Sequence, residues 1–154
     1  MSESVLNTPE ETKYRLLLLL SVLPDAQYDQ QWISAMDFLS IYGADFDYDG
    51  ENLHGDSWMR FTEYALRIWN VRDALHEMVM MKWLTVKPSS GGYMYSISRI
   101  GQERAAEFST SFAAPYKKNA SDCFRVYGNR SGKELDGMIR DAGLKMMERR
   151  KAHD

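Results

Sequence analysis

The fold is decided by residues 70–98, which read NVRDALHEMVMMKWLTVKPSSGGYMYSIS. Apolar side chains recur at helical spacing in the first part, and this predicts a helix over residues 71–82. Two β-rich runs follow, at 83–86 and 93–98, on either side of the turn-forming residues PSSGG. The stretch therefore predicts a helix that leads into a β-hairpin, the wing, over about residues 83–98.

Three further helices are predicted before this stretch. The first begins at a capping box formed by Thr8, Pro9 and Glu11, and the second covers about residues 29–42. The third begins at Ser57 and ends at a break over residues 68–70, where Asn70 can cap the helix that follows. Helix, turn, helix, strand, turn, strand is the layout of a winged helix.

The rest of the chain reads as helical. One helix begins at Ser98, a second at Pro115, and a third at the capping box of Ser131 and Glu134. Since residues 128–130 favour a turn, we expect a winged-helix domain over 1–127 and a helical appendage with a basic end over 128–154. The predicted class is mainly α with a small β-hairpin wing, a winged-helix core with flanking helices.

Charge is divided unevenly along the chain. Residues 1–60 carry three basic and eleven acidic side chains, a net of −8, whereas residues 61–154 carry sixteen and eleven, a net of +5. A polyanion would therefore meet the C-terminal third, in a weak contact that does not depend on base sequence. The candidates for contact with the DNA backbone are Lys117, Lys118, Lys145, Arg149, Arg150 and Lys151.

The helix over residues 71–82 is poorly suited to reading DNA. Its polar face carries Arg72, Asp73, His76 and Glu77, so a neutral histidine leaves one positive charge against two negative charges. Carboxylates are repelled by phosphates, and the wing turn adds only Lys87 and two serines. We expect this module to contact protein rather than to read bases.

Large apolar side chains are more numerous than one small core hides, with ten methionines and nineteen aromatic residues. Aromatic residues and methionine are enriched in protein interfaces, so we expect a subunit of a larger assembly. The interface candidates are Arg72, His76, Met80, Trp58, Trp69, Tyr93 and Tyr95.

One acidic loop resembles a calcium site in its spacing. Asp45, Asp47, Asp49 and Gly50 match the first half of a calcium loop, but Asp56 stands where a bidentate glutamate is required. Position 8 of the loop is Asn52, and the chain has no second loop of this kind. We expect an acidic turn, no bound calcium and no other cofactor.

Catalytic patterns are missing from the sequence. The three histidines, His54, His76 and His153, have no metal-ligand spacing, and Cys123 lies on the apolar side of a predicted helix. Gly91 and Gly92 lie in the hairpin rather than before a helix, so they form no phosphate loop. We expect a protein that is not an enzyme.

The cellular compartment also follows from composition. The longest apolar run is the five-residue LLLLL at 16–20, far short of the roughly 20 residues that a bilayer requires. A single cysteine excludes an internal disulfide framework. We expect a cytoplasmic protein without a membrane segment.

A family resemblance covers about residues 5–127. The motifs that carry it are Leu6-Asn7-Thr8-Pro9-Glu10-Glu11, Arg15 with its leucine run, Asp37-Phe38-Leu39, Leu53-His54, Tyr64-Ala65-Leu66-Arg67 and Trp83-Leu84. In this order they resemble the small middle component of bacterial ABC-three-component systems, a family that includes the small subunit of the Lamassu anti-phage systems.

The resemblance implies a non-catalytic accessory subunit of an anti-phage defence complex. Such a subunit lies beside an SMC- or Rad50-like ATPase that senses foreign DNA and beside an effector such as a nuclease, and it helps to assemble or restrain the complex. The alternative from the residues alone is a winged-helix transcription regulator that acts by itself and binds DNA as a dimer. A neighbouring gene for a long coiled-coil ATPase favours the first interpretation.

Overall fold

The computed structural model describes residues 8–46, 48, 50–54 and 59–153. Its elements in chain order are α1 (Pro9–Val22), β1 (Tyr28–Asp29), α2 (Gln30–Ile41), a 3₁₀ turn (Gly43–Asp45), α3 (Tyr64–Met80), β2 (Leu84–Ser89), β3 (Gly92–Ile97), α4 (Arg99–Ala106), α5 (Ala113–Tyr127) and α6 (Gly132–His153). The predicted class, mainly α with a small β-hairpin, is confirmed.

Helix α1 lies in the centre of the molecule. The hydroxyl of Thr8 accepts a hydrogen bond from the backbone N–H of Glu11 at 3.1 Å, which confirms the predicted N-cap. The leucine run at 16–20 is buried on every side because α1 is packed by α3, α4 and α5 at once. This run forms the middle of the core.

Helix α2 packs against the two C-terminal helices, α5 and α6. Asp29 caps it by accepting from the N–H of Trp32 at 2.8 Å, and almost every residue of the helix is buried between α5 and α6. Helix α6 approaches closely at its first turn, where a Cβ added to Gly132 would lie 2.7 Å from the backbone nitrogen of Trp32. Only glycine allows this approach.

The hairpin is the larger part of a three-stranded antiparallel sheet with the strand order β1-β3-β2. β2 and β3 pair along their whole length, from Leu84 opposite Ile97 to Ser89 opposite Gly92. β1 pairs with β3 through only two residues, because α2 begins immediately after Asp29. The predicted hairpin is confirmed, but its strands extend into the PSSGG stretch, so that Ser90 and Gly91 alone connect them.

The break predicted at residues 68–70 is wrong. α3 runs without interruption from Tyr64 to Met80, and its buried residues, Tyr64, Arg67, Val71, Ala74, Leu75 and Met78, form one continuous stripe. Asn70 is exposed within the helix, where its polarity costs little. The predicted helix that starts at Ser57 therefore begins only at Tyr64, and Ser57 itself lies outside the described residues.

The end of α3 has a definite cause. Lys82 has a backbone φ of 65°, and the N–H of Trp83 bonds back to the carbonyl of Met78 at 2.9 Å. This left-handed residue closes the helix in the manner usually supplied by glycine and turns the chain into β2. The predicted end at residue 82 is therefore two residues late.

The C-terminal helices largely follow the sequence. Ser98 caps α4 and Ser131 caps α6, where Ser131 and Glu134 exchange hydrogen bonds in both directions as a full capping box. α5 begins at Ala113 rather than at Pro115, since proline is tolerated anywhere in the first turn of a helix. α6 packs on α2 through the buried side chains of Leu135 and Ile139.

Candidate protein interface

The outward side of α3 presents a stripe of exposed residues. Leu66, Trp69, Asp73, His76 and Met80 follow one another at intervals of three or four residues, and all five are exposed. Trp69 is 56% and Met80 is 82% exposed. We call these five residues the outer face of α3. They place three large apolar side chains in water beside a histidine and a carboxylate.

Arg72 borders the outer face and is held by two neighbours. Its guanidinium carbon lies 4.3 Å from the centre of the Trp69 ring, and its Nη2 lies 3.3 Å from an Asp73 carboxylate oxygen. Glu77, on the next turn, lies 3.7 Å from the ammonium group of Lys13 on α1. The surroundings of the stripe therefore carry both signs of charge, as the sequence predicts.

Of the two hairpin tyrosines predicted to lie at a protein interface, one is exposed. Tyr93 is exposed near the turn, whereas Tyr95 is only 3% exposed. Tyr95 lies in the middle strand, opposite Tyr28 on one side and Val86 on the other, and its side chain points into the core. The expectation that Tyr95 offers surface is therefore wrong. Trp58, the remaining aromatic candidate, lies outside the described residues.

The candidate DNA-contacting cations lie on two different helices. Lys117 and Lys118 are on α5, where Lys118 is 2.9 Å from Asp122 and lowers the pKa of that carboxyl. The other four are Lys145, Arg149, Arg150 and Lys151 near the end of α6, and all are exposed. Within these four, Lys145 pairs with Asp141 at 3.1 Å on the same helix.

Sequence reasoning missed an ion pair buried in the core. Arg15 of α1 donates two hydrogen bonds to Asp37 of α2, at 2.7 and 2.9 Å, and the hydroxyl of Tyr116 on α5 donates to the same carboxylate at 2.7 Å. The carboxylate raises the pKa of Arg15 further, and burial raises the pKa of Tyr116 well above its usual value. A charged residue within an otherwise apolar stretch of each helix is the signal that could have revealed the pair.

A second buried arginine is found between α3 and the loop before it. Arg67 donates from Nη2 to the hydroxyl of Tyr42 and to Nδ1 of His54, each at 3.1 Å. His54 therefore carries its proton on Nε2, since arginine can only donate. Burial, together with the positive charge of Arg67, lowers the pKa of His54 to about 3. This histidine is a neutral core residue.

The acidic loop that resembles a calcium site lies only partly within the residues that the structure describes. Asp45 accepts two hydrogen bonds from Arg60, at 2.6 and 2.7 Å, so this carboxylate is engaged by a guanidinium. Asp47, Asp49 and Asp56 lie outside the described residues. Over the described part of the chain, no group of three histidine, cysteine, aspartate or glutamate side chains could hold a metal ion.

Cys123 is completely buried on α5. Burial raises the pKa of its thiol, so the nucleophilic thiolate is suppressed at neutral pH. The prediction that Cys123 is a small core residue is confirmed.

Among the helices that the structure describes, none is long and apolar enough to cross a bilayer.

Comparison with known protein families gives a match over most of the chain. Residues 5–149 match the ABC-three component (ABC-3C) system Middle Component 2 family. The chain belongs to this family. No curated protein and no solved structure matches it.

Family membership bears directly on the sequence predictions. The predicted resemblance is confirmed, and the match continues past residue 127 through most of α6. The basic end of the chain is therefore part of the family pattern up to residue 149. A middle component is an accessory part of a three-component system, so its partners are the other components of that system.

Proposed function

We propose that this middle component is a non-catalytic subunit of an anti-phage defence complex related to Lamassu. In this proposal it bridges an SMC- or Rad50-like ATPase and an effector such as a nuclease, and it helps to assemble the complex or restrain the effector. The observation that carries the proposal is the outer face of α3, which exposes Trp69 and Met80 beside groups of both charges. Apolar and aromatic side chains with a mixed polar rim are typical of protein interfaces.

The element order supports a winged-helix core. Three helices and three strands follow one another as α1-β1-α2-α3-β2-β3, with β3 in the middle of the sheet. In a DNA-binding winged helix, the helix before the wing enters the major groove. Here α3 holds that place, but Asp73 and Glu77 lie on its exposed side. We propose that the module contacts a protein through this helix.

Co-expression with the components encoded beside this gene tests the proposal. Met80→Glu introduces a charge at a site that is 82% exposed, so the fold should be unchanged. In the complex, the apolar contact that Met80 makes with the partner would be lost. We expect the variant to recover at least tenfold less ATPase or effector than the wild-type chain. Ile100→Glu, on α4, is the matched control, because Ile100 is also apolar and exposed.

DNA binding by the purified chain distinguishes this role from that of a transcription regulator. We expect the isolated chain to bind DNA weakly and without sequence preference, with an affinity that falls steeply as salt is raised. Tight binding to one DNA sequence at physiological salt, lost in Arg72→Ala, would contradict the proposal. Equal recovery of partners by the wild-type chain and Met80→Glu would also contradict the use of the outer face.

A further inference from the structure

A groove of about 440 Å³ lies between the start of α3 and the C-terminal half of α6. It is lined mainly by apolar groups, including Phe61, Ala65, Ile139, Gly143, Leu144 and Met147. We call it the α3–α6 groove. It is separate from the outer face of α3 defined above.

At one end of the groove, Gly143 lets α6 lie directly against the segment that precedes α3. A Cβ added to Gly143 would lie 2.9 Å from the Cβ of Phe61, so the two elements touch there. Beyond this point Leu144 is 62% exposed and Met147 is 48% exposed. Burying such side chains against a partner removes apolar surface from water, which favours binding.

The C-terminal half of α6, which forms one wall of the groove, carries a net positive charge, although Lys145 pairs with Asp141. Residues 140–151 contain five basic and two acidic side chains, a net of +3, in a chain whose net charge is −3. Arg140, Leu144, Met147 and Lys151 follow at intervals of four, three and four residues, so they share one stripe of α6. Arg140 and Lys151 therefore bracket the two exposed apolar side chains, and Arg140 also pairs with Asp136 of the same helix at 2.8 Å.

We propose that the α3–α6 groove binds an acidic amphipathic helix of another component of the system. The apolar side of that helix would cover Leu144 and Met147, and its carboxylates would meet the cations at the two ends of the stripe. The stripe from Arg140 to Lys151 spans about 16 Å, which is three turns of helix. This inference rests on the proposed subunit role and adds a second, chemically defined contact to it.

Charge also decides between possible occupants. Two copies of the chain packed groove to groove would bring two net-positive helix ends together, which is unfavourable. A DNA backbone would satisfy the cations, but it would leave Leu144 and Met147 against phosphates and water. An acidic helix satisfies both the charge and the apolar surface.

The test uses the full chain, co-expressed with the components encoded beside it. Leu144→Glu replaces an exposed apolar side chain with a carboxylate that repels an acidic partner. We expect at least a tenfold loss in the recovery of one component, with the thermal unfolding temperature of the purified variant unchanged. Val126→Glu, at an exposed apolar site on α5, should leave recovery unchanged.

A photo-reactive amino acid at Met147 identifies the occupant. We expect cross-links to a segment of another component whose sequence is acidic and has apolar residues at helical spacing. Lys151→Glu should weaken the complex at low salt and have little effect at high salt, because the effect is electrostatic.

The outcomes separate the two proposals. A complex that forms equally well with the wild-type chain and with Leu144→Glu would overturn the groove inference and leave the subunit role intact. Cross-links from Met147 to DNA or to a second copy of this chain would also overturn it. No complex with any neighbouring component, even for the wild-type chain, would overturn both.

Discussion

Arg15 and Arg67 are both buried arginines, but their surroundings differ. Arg15, which is 2% exposed, forms a two-bond ion pair with Asp37, and Tyr116 donates to the same carboxylate. Arg67, which is 6% exposed, donates to the hydroxyl of Tyr42 and to the ring of His54. The carboxylate of Glu63 is 3.8 Å away and half-exposed.

The two arginines differ in whether a buried carboxylate neutralises their positive charge. The Asp37 carboxylate neutralises Arg15 and joins α1, α2 and α5 at one point of the core. Among the described residues, Nε and Nη1 of Arg67 and Nε2 of His54 meet no hydrogen-bond partner. Since buried donors without acceptors cost free energy, the first arginine should be essential to the fold and the second should not.

The largest expected effect is at the Arg15 ion pair. Arg15→Met leaves the Asp37 carboxylate buried without its cation, and we expect the free energy of unfolding to fall by about 3–5 kcal/mol. The measurement is urea unfolding followed by circular dichroism. In the double variant Arg15→Met with Asp37→Leu, most of this loss should be recovered, because no buried charge remains. A double variant no more stable than the single one would show that the ion pair itself stabilises the core.

The next effect is a dependence on pH that comes from His54. Its folded pKa of about 3 lies below the ordinary value of 6.5, so the unfolded chain takes up the proton first as pH falls. The contribution of neutral His54 is therefore complete above pH 6.5 and is lost on acidification. Between pH 8 and 5 we expect a loss of about 2 kcal/mol in the free energy of unfolding.

The control for this effect is His54→Asn, which removes the titrating group. Urea unfolding at several pH values should then show a shallower slope over this window than in the wild-type chain. His76 remains in both proteins, so any slope that it contributes cancels in the comparison. An identical slope in the two proteins would show that His54 is already accessible to protons in the folded state.

The smallest expected effect is at the second arginine. Arg67→Met removes a guanidinium whose loss leaves no buried carboxylate behind, although Nδ1 of His54 and the Tyr42 hydroxyl lose a donor. We expect the free energy of unfolding to change by no more than about 1 kcal/mol. A fall in the free energy of unfolding as large as that of Arg15→Met would contradict the proposed difference between the two sites. The variant should also flatten the pH slope in part, because the charge of Arg67 contributes to the lowered pKa of His54.

The sequence by itself determined the local structure wherever a residue acts on its own neighbours. Thr8, Asp29, Ser98 and Ser131 all cap helices through their own side chains, and such bonds span only three residues. The hairpin was also predictable, since turn residues and alternation are local patterns. The outer face of α3 could be anticipated in part, because helical spacing separates His76 and Met80 from the buried stripe.

Tertiary structure decided what depends on distant neighbours. α3 continues through residues 68–70 because its buried stripe packs against α1 and α2, a gain that outweighs the weak helix-ending preference of Asn70. Tyr95 is buried because it lies in the middle strand between Tyr28 of β1 and Val86 of β2, on the side that meets the core. The Arg15–Asp37–Tyr116 cluster includes a hydrogen bond between side chains that are 79 positions apart in the chain. The α3–α6 groove arises in the same way, where Gly143 lets α6 reach Phe61. Such contacts form only when the helices pack, so no local pattern in the sequence specifies them.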